Sequence, residues 1–164
     1  MTRDYKLVLD KRRRLAPLLT VYGGKITTFR RLAEDALSRL SRFFQLGERW
    51  TATSPLPGGD FRWDAIGAKV AQAQQSWPFL DEPEARRLVG AYGTRLDRVL
   101  GDAKRREDLG SFFGPLSAAE VRYLMKYEWA RTADDVLWRR SKLGLRLGSG
   151  EKEALARFMA QPPQ

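Results

Sequence analysis

The stretch that most constrains this chain is "TATSPLPGGD", residues 51–60, because its prolines and glycines cannot continue a helix or a central strand. Before it, two short β-rich runs precede one amphipathic helix. After it, the apolar spacing and the capping signals are helical to the end of the chain. We therefore predict a mainly α chain, with an N-terminal β-hairpin plus helix over residues 1–50, a linker over 51–60, and a small all-helical domain over 61–160.

The first part holds two predicted strands and one helix. Residues 5–9 alternate polar and apolar side chains, and residues 16–22 form a more apolar run, so the two are predicted to pair as a hairpin. A helix is predicted over 27–46, with its apolar stripe formed by Phe29, Leu32, Ala33, Ala36, Leu37, Leu40 and Phe44. Two strands alone are marginally stable, so this hairpin is expected to belong to a larger sheet.

The second part reads as a series of short helices with clear start signals. Pro83 fits the first turn of a helix, and Ser117 followed by Glu120 forms a capping-box pattern. Residues 132–135, "TADD", provide a similar start for a later helix. Helices are predicted over 64–75, 83–92, 94–100, 118–129, 132–142 and 151–159.

Composition excludes several kinds of site. The chain has no cysteine and no histidine, which removes disulfides, thiolate nucleophiles and the commonest general base and metal ligand. No metal site is predicted, and a proton-transfer residue must be a carboxylate, a lysine, a tyrosine or a group elsewhere. No apolar run of about 18 residues occurs, and the start "MTRDYKLVLDKRRR" lacks the apolar region of a signal peptide.

The net charge of +10 is compatible with an anionic partner. Most of the basic residues, however, lie beside acids in short pairs, as solvated helix faces do, and only Lys11–Arg14 forms a solid basic run. Nucleic acid is therefore not expected as a partner. A basic helical module that binds nucleic acid or another protein remains the alternative function.

A strand-to-helix corner, "TVYGGKITTF", carries the best candidate binding residues. Glycines allow a ligand close to the backbone, and a helix N-terminus offers unpaired N–H groups and partial positive charge. Lys25 adds a full charge, and Thr27 or Thr28 can cap the helix or donate to a ligand. The residues alone leave two interpretations open, a capped Gly-Gly turn or a binding site formed by Gly23, Gly24, Lys25, Thr27 and Thr28.

Four aromatic side chains cluster near the end of the chain: Tyr123, Tyr127, Trp129 and Trp138. They could line a ligand slot, but their helical spacing favours the core of a small bundle. Glu128 lies among them, and a paired surface charge is favoured over a buried acid.

Several segments taken together resemble the C-terminal portion of the aerobic, FAD-dependent glycerol-3-phosphate dehydrogenases. They are "TRDY", "GGKITTFRRLAEDAL", "PLPGGD", "AYGTR" and "EVRYLMKYEWARTADDVLWRRSKLGL", and the similarity runs from about Thr2 to about Phe158. The basic turn Lys11–Arg14 and the short tail depart from the pattern. The resemblance implies that the first part is a remnant of an FAD-binding domain.

The resemblance also implies roles for individual residues. The corner formed by Gly23, Gly24, Lys25, Thr27 and Thr28 would face the flavin N1 and O2 atoms, where fixed donors favour hydride acceptance. Arg3 would hold the phosphate of the substrate, because a guanidinium fork suits a phosphate dianion.

The rest of the enzyme is expected outside this sequence. No G-x-G-x-x-G motif occurs here, and the resemblance places the ADP-binding part and the general base upstream. The parent is expected to oxidise sn-glycerol 3-phosphate to dihydroxyacetone phosphate with FAD and to pass electrons to quinone, as a cytoplasmic enzyme peripheral to the inner face of the membrane. The fragment alone is expected to be inactive and to bind no FAD, while a homodimer remains open.

Overall fold

The computed structural model describes residues 4–160, which form two compact units, 4–55 and 56–160. Helices dominate the described residues, and the only sheets among them are two short two-stranded ribbons. This confirms the predicted mainly α class with an N-terminal hairpin. Within residues 4–160, no helix is both long and apolar enough to cross a membrane.

The predicted hairpin is present. Strand β1, Lys6–Asp10, pairs antiparallel with β2, Leu18–Tyr22, and the register sets Lys6 opposite Tyr22. The basic run lies in the connecting loop, where Arg12 Nε donates to Asp10 at 3.2 Å.

The first helix, α1, spans Phe29–Leu40 after a short 3₁₀ turn at Ile26–Thr28, so the prediction that it reaches residue 46 is wrong. Two serine hydroxyls form hydrogen bonds to backbone carbonyls near the C-terminal end of α1. Ser38 Oγ donates to the carbonyl of Glu34 and Ser41 Oγ to that of Ser38, each at 2.9 Å. Serine side chains that bond to nearby carbonyls weaken a helix interior, and here the chain turns away after the last of them.

Polar contacts tie the following segment back to α1. Arg49 donates to Ser38 Oγ at 2.6 Å and to Asp35 at 3.4 Å, and the Thr51 hydroxyl donates to Glu34. On the other side, the Tyr5 hydroxyl donates to Asp35. These hydroxyl bonds hold the pKa of Glu34 and of Asp35 below the usual carboxyl value.

No side chain of residues 4–55 is buried. The apolar stripe of α1 is half-buried at best, and large side chains stand in solvent, with Ile26 at 88%, Leu18 at 63% and Phe29 at 58% exposure. Burial of such side chains is the main source of folding free energy. This unit therefore lacks a core of its own.

The second unit is helical, with one small ribbon between its third and fourth helices. The ribbon pairs β3, Phe112–Phe113, with β4, Leu116–Ser117. The helices are α2 Ile66–Ser76, α3 Glu82–Tyr92, α4 Leu96–Leu100, α5 Ala118–Tyr127, a π-helix Asp135–Arg140 and α6 Ser149–Met159.

Two of these helices begin at predicted start signals, Pro83 and Ser117, and the first is also capped by Asp81. The N–H of Glu84 donates to Asp81 Oδ1 at 2.8 Å at the start of α3, with Pro83 in the first turn. The N–H of Glu120 donates to Ser117 Oγ at 3.1 Å at the start of α5. Each cap satisfies an N–H group that has no partner inside the helix.

A single apolar core joins these helices. Its most deeply buried members come from the ribbon and from α3, α5, the π-helix and α6, and they are Ala85, Leu116, Val121, Val136 and Leu155. Fully burying a large aliphatic side chain contributes about 1.5–3 kcal/mol. The second unit therefore has the stabilising interior that residues 4–55 lack.

The segment predicted as an α-helix over 132–142 is a π-helix instead. Its start agrees with the capping pattern, because Thr132 Oγ accepts from Asp135 N and Asp135 accepts from Thr132 N. At its end, the N–H and the hydroxyl of Ser141 both donate to the Val136 carbonyl, five residues back, at 3.0 and 2.7 Å. Lys142 then takes a left-handed φ of 60° and ends the helix.

The second half of the proline-glycine stretch packs within the helical unit. The N–H of Thr94 donates to the carbonyl of Gly58 at 3.1 Å, and its hydroxyl donates to Asp60. A Cβ atom on Gly93 would lie 1.9 Å from the Gly58 oxygen, closer than any real contact. We call this contact of Gly58 and Asp60 with Gly93 and Thr94 the glycine clasp.

Candidate functional site

The Gly-Gly corner lies between β2 and the 3₁₀ turn that precedes α1. Gly23 and Gly24 have φ values of 75° and 105°, which L side chains rarely adopt. A Cβ atom on Gly23 would meet the Asp4 carbonyl at 3.1 Å, and one on Gly24 would meet Leu32 at the same distance. Glycine is therefore required here both by conformation and by close packing.

Thr28 closes the turn. Its hydroxyl accepts from Lys25 N at 3.3 Å and donates to Lys25 O at 3.1 Å. The sequence left open whether a threonine would cap or bind, and the Thr28 hydroxyl makes capping bonds. The Thr27 side chain is exposed and makes no hydrogen bond within residues 4–160.

Backbone donors at the corner remain open. Within the described part of the chain, the N–H groups of Gly24, Ile26 and Thr27 have no acceptor. Lys25 is exposed beside them and forms no ion pair with any residue from 4 to 160. Unpaired N–H groups at the start of a helix carry partial positive charge, to which the lysine adds a full charge.

This arrangement suits an electron-rich, planar ligand edge. Three N–H groups and one ammonium group are available as donors. The two glycines carry no side chain that would block the approach of a ligand to the backbone. The residues present therefore fit the pyrimidine edge of a flavin, which offers oxygen and nitrogen acceptors.

Arg3 lies outside the described residues. The two residues after it do reach the corner, because Asp4 and Tyr5 are the neighbours that a Cβ on Gly23 would meet. Asp4 and Tyr5 of the "TRDY" segment therefore lie next to the "GGK" segment, about 20 residues later in the chain.

The expectation for the late aromatic cluster is wrong for three of its four members. Tyr123 is buried at 4% exposure, whereas Tyr127, Trp129 and Trp138 are exposed, Trp129 at 78%. Helical spacing did not place them inward, because Trp129 follows the end of α5 in a left-handed conformation with φ of 55°. Glu128 is half-buried and forms no ion pair within residues 4–160, so the paired surface charge is also wrong.

Sequence reasoning missed a buried charge network. Arg87 donates to both Glu120 oxygens at 2.7 and 2.9 Å, and the Tyr92 hydroxyl donates to Glu120 at 2.7 Å. Glu120 entered the sequence analysis only as a capping residue, and its pairing with Arg87 on another helix has no local signal. Residues 4–160 hold no group of three or more acidic side chains arranged to bind a metal ion.

Comparison with known proteins gives a consistent set of matches. A family model described as the C-terminal domain of alpha-glycerophosphate oxidase matches residues 49–161. A glycerol-3-phosphate dehydrogenase of Pseudomonas aeruginosa is 45% identical over 161 residues, which cover 97% of this chain and 31% of that protein. The aerobic glycerol-3-phosphate dehydrogenase of Escherichia coli is 40% identical over 166 residues, covering 100% and 33%.

A third relative differs in its named substrate. The D-erythritol 1-phosphate dehydrogenase of Brucella abortus is 41% identical over 160 residues, which cover 96% of this chain and 32% of that protein. The chain thus spans about a third of the length of the curated relatives it matches.

Proposed function

This chain belongs to the family of the C-terminal domain of alpha-glycerophosphate oxidase, and from that membership we propose that it works as the C-terminal part of an FAD-dependent glycerol-3-phosphate dehydrogenase. The parent enzyme oxidises sn-glycerol 3-phosphate to dihydroxyacetone phosphate. Residues 1–50 complete its FAD-binding and substrate domain, residues 51–60 link the two parts, and residues 61–160 form its helical C-terminal domain.

The observation that carries this proposal is the Gly-Gly-Lys corner. Within residues 4–160, N–H groups without an acceptor and a lysine without an ion pair lie just before α1, in a unit that has no buried side chain in residues 4–55. A donor-rich corner on such an incomplete unit is what one edge of a larger binding site provides.

In the parent, a bound FAD would supply the hydride acceptor for oxidation of the substrate. Lys25 and the N–H groups of Gly24, Ile26 and Thr27 would serve as fixed donors that stabilise the negative charge of the reduced flavin. Thr28 holds the corner in shape through its two bonds to Lys25. No general base is assigned to this chain.

The substrate is proposed to be a polyol phosphate held through Arg3. A guanidinium fork forms two parallel hydrogen bonds to a phosphate. The names of the relatives include both glycerol 3-phosphate and D-erythritol 1-phosphate, and these substrates share a phosphomonoester beside hydroxyl groups. Glycerol 3-phosphate is favoured because two of the three similar relatives described above are named for it.

Family membership also supports a proposal for the electron acceptor and the location of the parent. We assign electron transfer to a quinone, and a place at the inner face of the cytoplasmic membrane with the enzyme bound peripherally. A homodimer remains a further expectation for the whole enzyme.

The test uses the whole enzyme with Arg3 and Lys25 changed separately. Arg3→Ala should weaken substrate binding by about 2–4 kcal/mol with FAD retained, and Arg3→Lys should restore only part of it. Lys25→Met should instead slow flavin reduction on the order of 10²-fold and lower the flavin potential, because it removes a positive charge where negative charge develops.

Stopped-flow reduction against substrate concentration, with a redox titration, separates the two effects. Lys6→Met is the control, because Lys6 is exposed on β1 and has no ion pair within residues 4–160. If Lys25→Met leaves both potential and limiting rate at their original values, the corner is only a capped turn.

A further inference from the structure

The segment from Glu128 to Leu145 has an unusual backbone for which the proposed function gives no role. The segment contains the π-helix. Trp129 lies before this helix and Lys142 after it, and both are non-glycine residues with positive φ. Left-handed backbone is strained at such residues, so the surrounding structure must hold it in place. Conformations of this kind and π-helical turns recur at binding sites.

A cavity of about 130 Å³ lies against this segment, between it and helices α3 and α5. Its volume equals roughly four water molecules at about 30 Å³ each. Cofactor pockets are larger, commonly about 300–1,000 Å³. The cavity therefore fits a small molecule and excludes a nucleotide or a flavin.

The floor of the cavity is electrically neutral and fully bonded. Arg87 and Glu120 form their bidentate pair there, and Arg87 also donates to the Pro115 carbonyl at 2.9 Å. Burial raises the pKa of Tyr92 far above its usual value, so its hydroxyl stays protonated and donates to Glu120. The floor thus leaves no charge for a ligand to neutralise.

Two charged side chains at the rim, Arg140 and Glu128, form no ion pair within residues 4–160. Arg140 Nε donates to the backbone carbonyl of Glu128 at 2.8 Å, while its two Nη atoms have no acceptor within the described residues. The Glu128 carboxylate, half-buried at the same cavity, has no donor and no ion pair within residues 4–160. Opposite charges therefore lie at one cavity without pairing with each other.

The remaining polar group on this wall is already used. Ser141 Oγ donates to the Val136 carbonyl at 2.7 Å and accepts from Leu143 N at 3.3 Å. Only the guanidinium of Arg140 and the carboxylate of Glu128 remain for recognition.

We propose that this cavity binds a small zwitterion, an α-amino acid in chemical class, with its carboxylate on the Arg140 fork and its ammonium group on Glu128. Glu128 is half-buried and Arg140 is exposed beside it, and such a ligand pairs both charges at once. A phosphate dianion would gain one guanidinium but meet the Glu128 carboxylate. The site lies in the helical unit and does not depend on the proposed dehydrogenase activity.

The test is a titration of the ¹⁵N-labelled 164-residue chain followed by NMR, with L-alanine as the probe. Saturable shifts are expected at the amides of Glu128, Arg140 and Ser141. Two matched ligands remove one charge each, propionate without the ammonium and alaninamide without the carboxylate. Each should bind at least about tenfold more weakly, because each loses a charge-assisted contact.

Three variants test the residues. Arg140→Gln and Glu128→Gln should each weaken L-alanine binding at least about tenfold. Arg139→Gln is the matched control and should bind as the original chain does, because Arg139 pairs with Asp135 at 3.0 Å and does not line the cavity. Amide spectra that keep their dispersion establish that each variant is folded.

Several results would overturn the proposal. One is the absence of any saturable shift with L-alanine, and another is propionate or alaninamide binding as tightly as L-alanine. Inorganic phosphate binding more tightly than L-alanine would make the rim an anion site. Equal weakening by Arg139→Gln would mean that the effect is general surface charge.

Discussion

At the scale of single residues, Gly93 has the least freedom in the helical unit. It sits at φ of 52° directly after α3, and its α-carbon faces the Gly58 carbonyl. Even the smallest side chain would overlap that oxygen. Gly90, three residues earlier in α3, has nothing within 4 Å of a Cβ placed on it.

We therefore expect opposite effects from two identical substitutions. Gly93→Ala should lower the free energy of unfolding by about 2 kcal/mol or more, because it adds a clash and an unfavourable φ. Gly90→Ala should raise it by about 0.5–1 kcal/mol, because alanine favours a helix interior. Urea unfolding monitored by circular dichroism measures both, and a similar loss in the two variants would contradict the clasp.

The residues of the two candidate sites differ in how far sequence could identify them. Gly23, Gly24 and Lys25 lie together in the chain at a strand-to-helix corner, so local pattern and the family resemblance point to them. Arg140 and Glu128 are ordinary charges in sequence. Whether a charge finds a partner depends on packing between distant helices, which local pattern does not encode.

At the scale of elements, the start of the π-helix depends on one carboxylate. Asp135 accepts from the N–H groups of Arg131 and Thr132, each at 2.9 Å, and pairs with Arg139. The two backbone bonds lower the pKa of Asp135 to about 2. The helix start is therefore stabilised by the ionised form.

This pKa predicts a defined loss of stability in acid. A carboxyl whose pKa is lowered on folding stabilises the fold above its unfolded value of about 3.8, and this contribution disappears as the pH falls through about 2. Asp135→Asn should therefore show a smaller drop in unfolding free energy between about pH 4 and pH 2 than the original chain.

Asp102→Asn is the control, because the Asp102 carboxylate makes no hydrogen bond or ion pair within residues 4–160. Denaturant unfolding at a series of pH values provides the measurement. An Asp135→Asn profile parallel to that of the original chain would show that this carboxylate does not hold the helix start.

Most helix bounds of the second unit were predictable to within about two residues, whereas the end of α1 and the π-helical turn were not. Asp81, Ser117 and Thr132 cap through bonds to residues three positions later, so the signal is local. At the end of α1 and of the π-helix, serine hydroxyls donate to carbonyls three and five residues earlier, and Arg49 also donates to Ser38 from the segment after α1. Apolar spacing alone also misplaced Tyr127, Trp129 and Trp138, which are exposed.

At the scale of the whole molecule, the two units are stabilised by different interactions. Residues 56–160 surround a continuous apolar core, whereas residues 4–55 are held by the hairpin and by polar contacts around Asp35 and Glu34. These polar contacts lie at the surface and are only part-buried, and surface ion pairs contribute little, about 0–1 kcal/mol each. The first unit should therefore open far more often than the second.

Hydrogen exchange on the 164-residue chain tests this difference. Amides of the hairpin should exchange quickly, and those of the helical core between about residues 64 and 158 should be protected, because only the core buries apolar area. Equal strong protection of Lys6–Asp10 and of α5 in a monomer would contradict it.

A second prediction at this scale concerns the cofactor. The chain supplies one donor-lined edge and no Gly-rich dinucleotide motif, so the isolated 164-residue protein should be colourless and should not reduce a dye with glycerol 3-phosphate. An absorbance spectrum and a dye assay after incubation with FAD check this. A yellow protein with stoichiometric flavin would show that these residues suffice for binding.

The glycine clasp also determines how the helical unit would respond to mechanical force. Tension applied along the backbone from the side of Pro55 would reach the hydrogen bond between Gly58 and Thr94 before it reached α2. In an optical trap, the first extension event should therefore be the release of residues 56–60 from the end of α3, with the helical core still intact. The clasp would therefore be the first contact of the helical unit to break under load, before any of its helices unfolds.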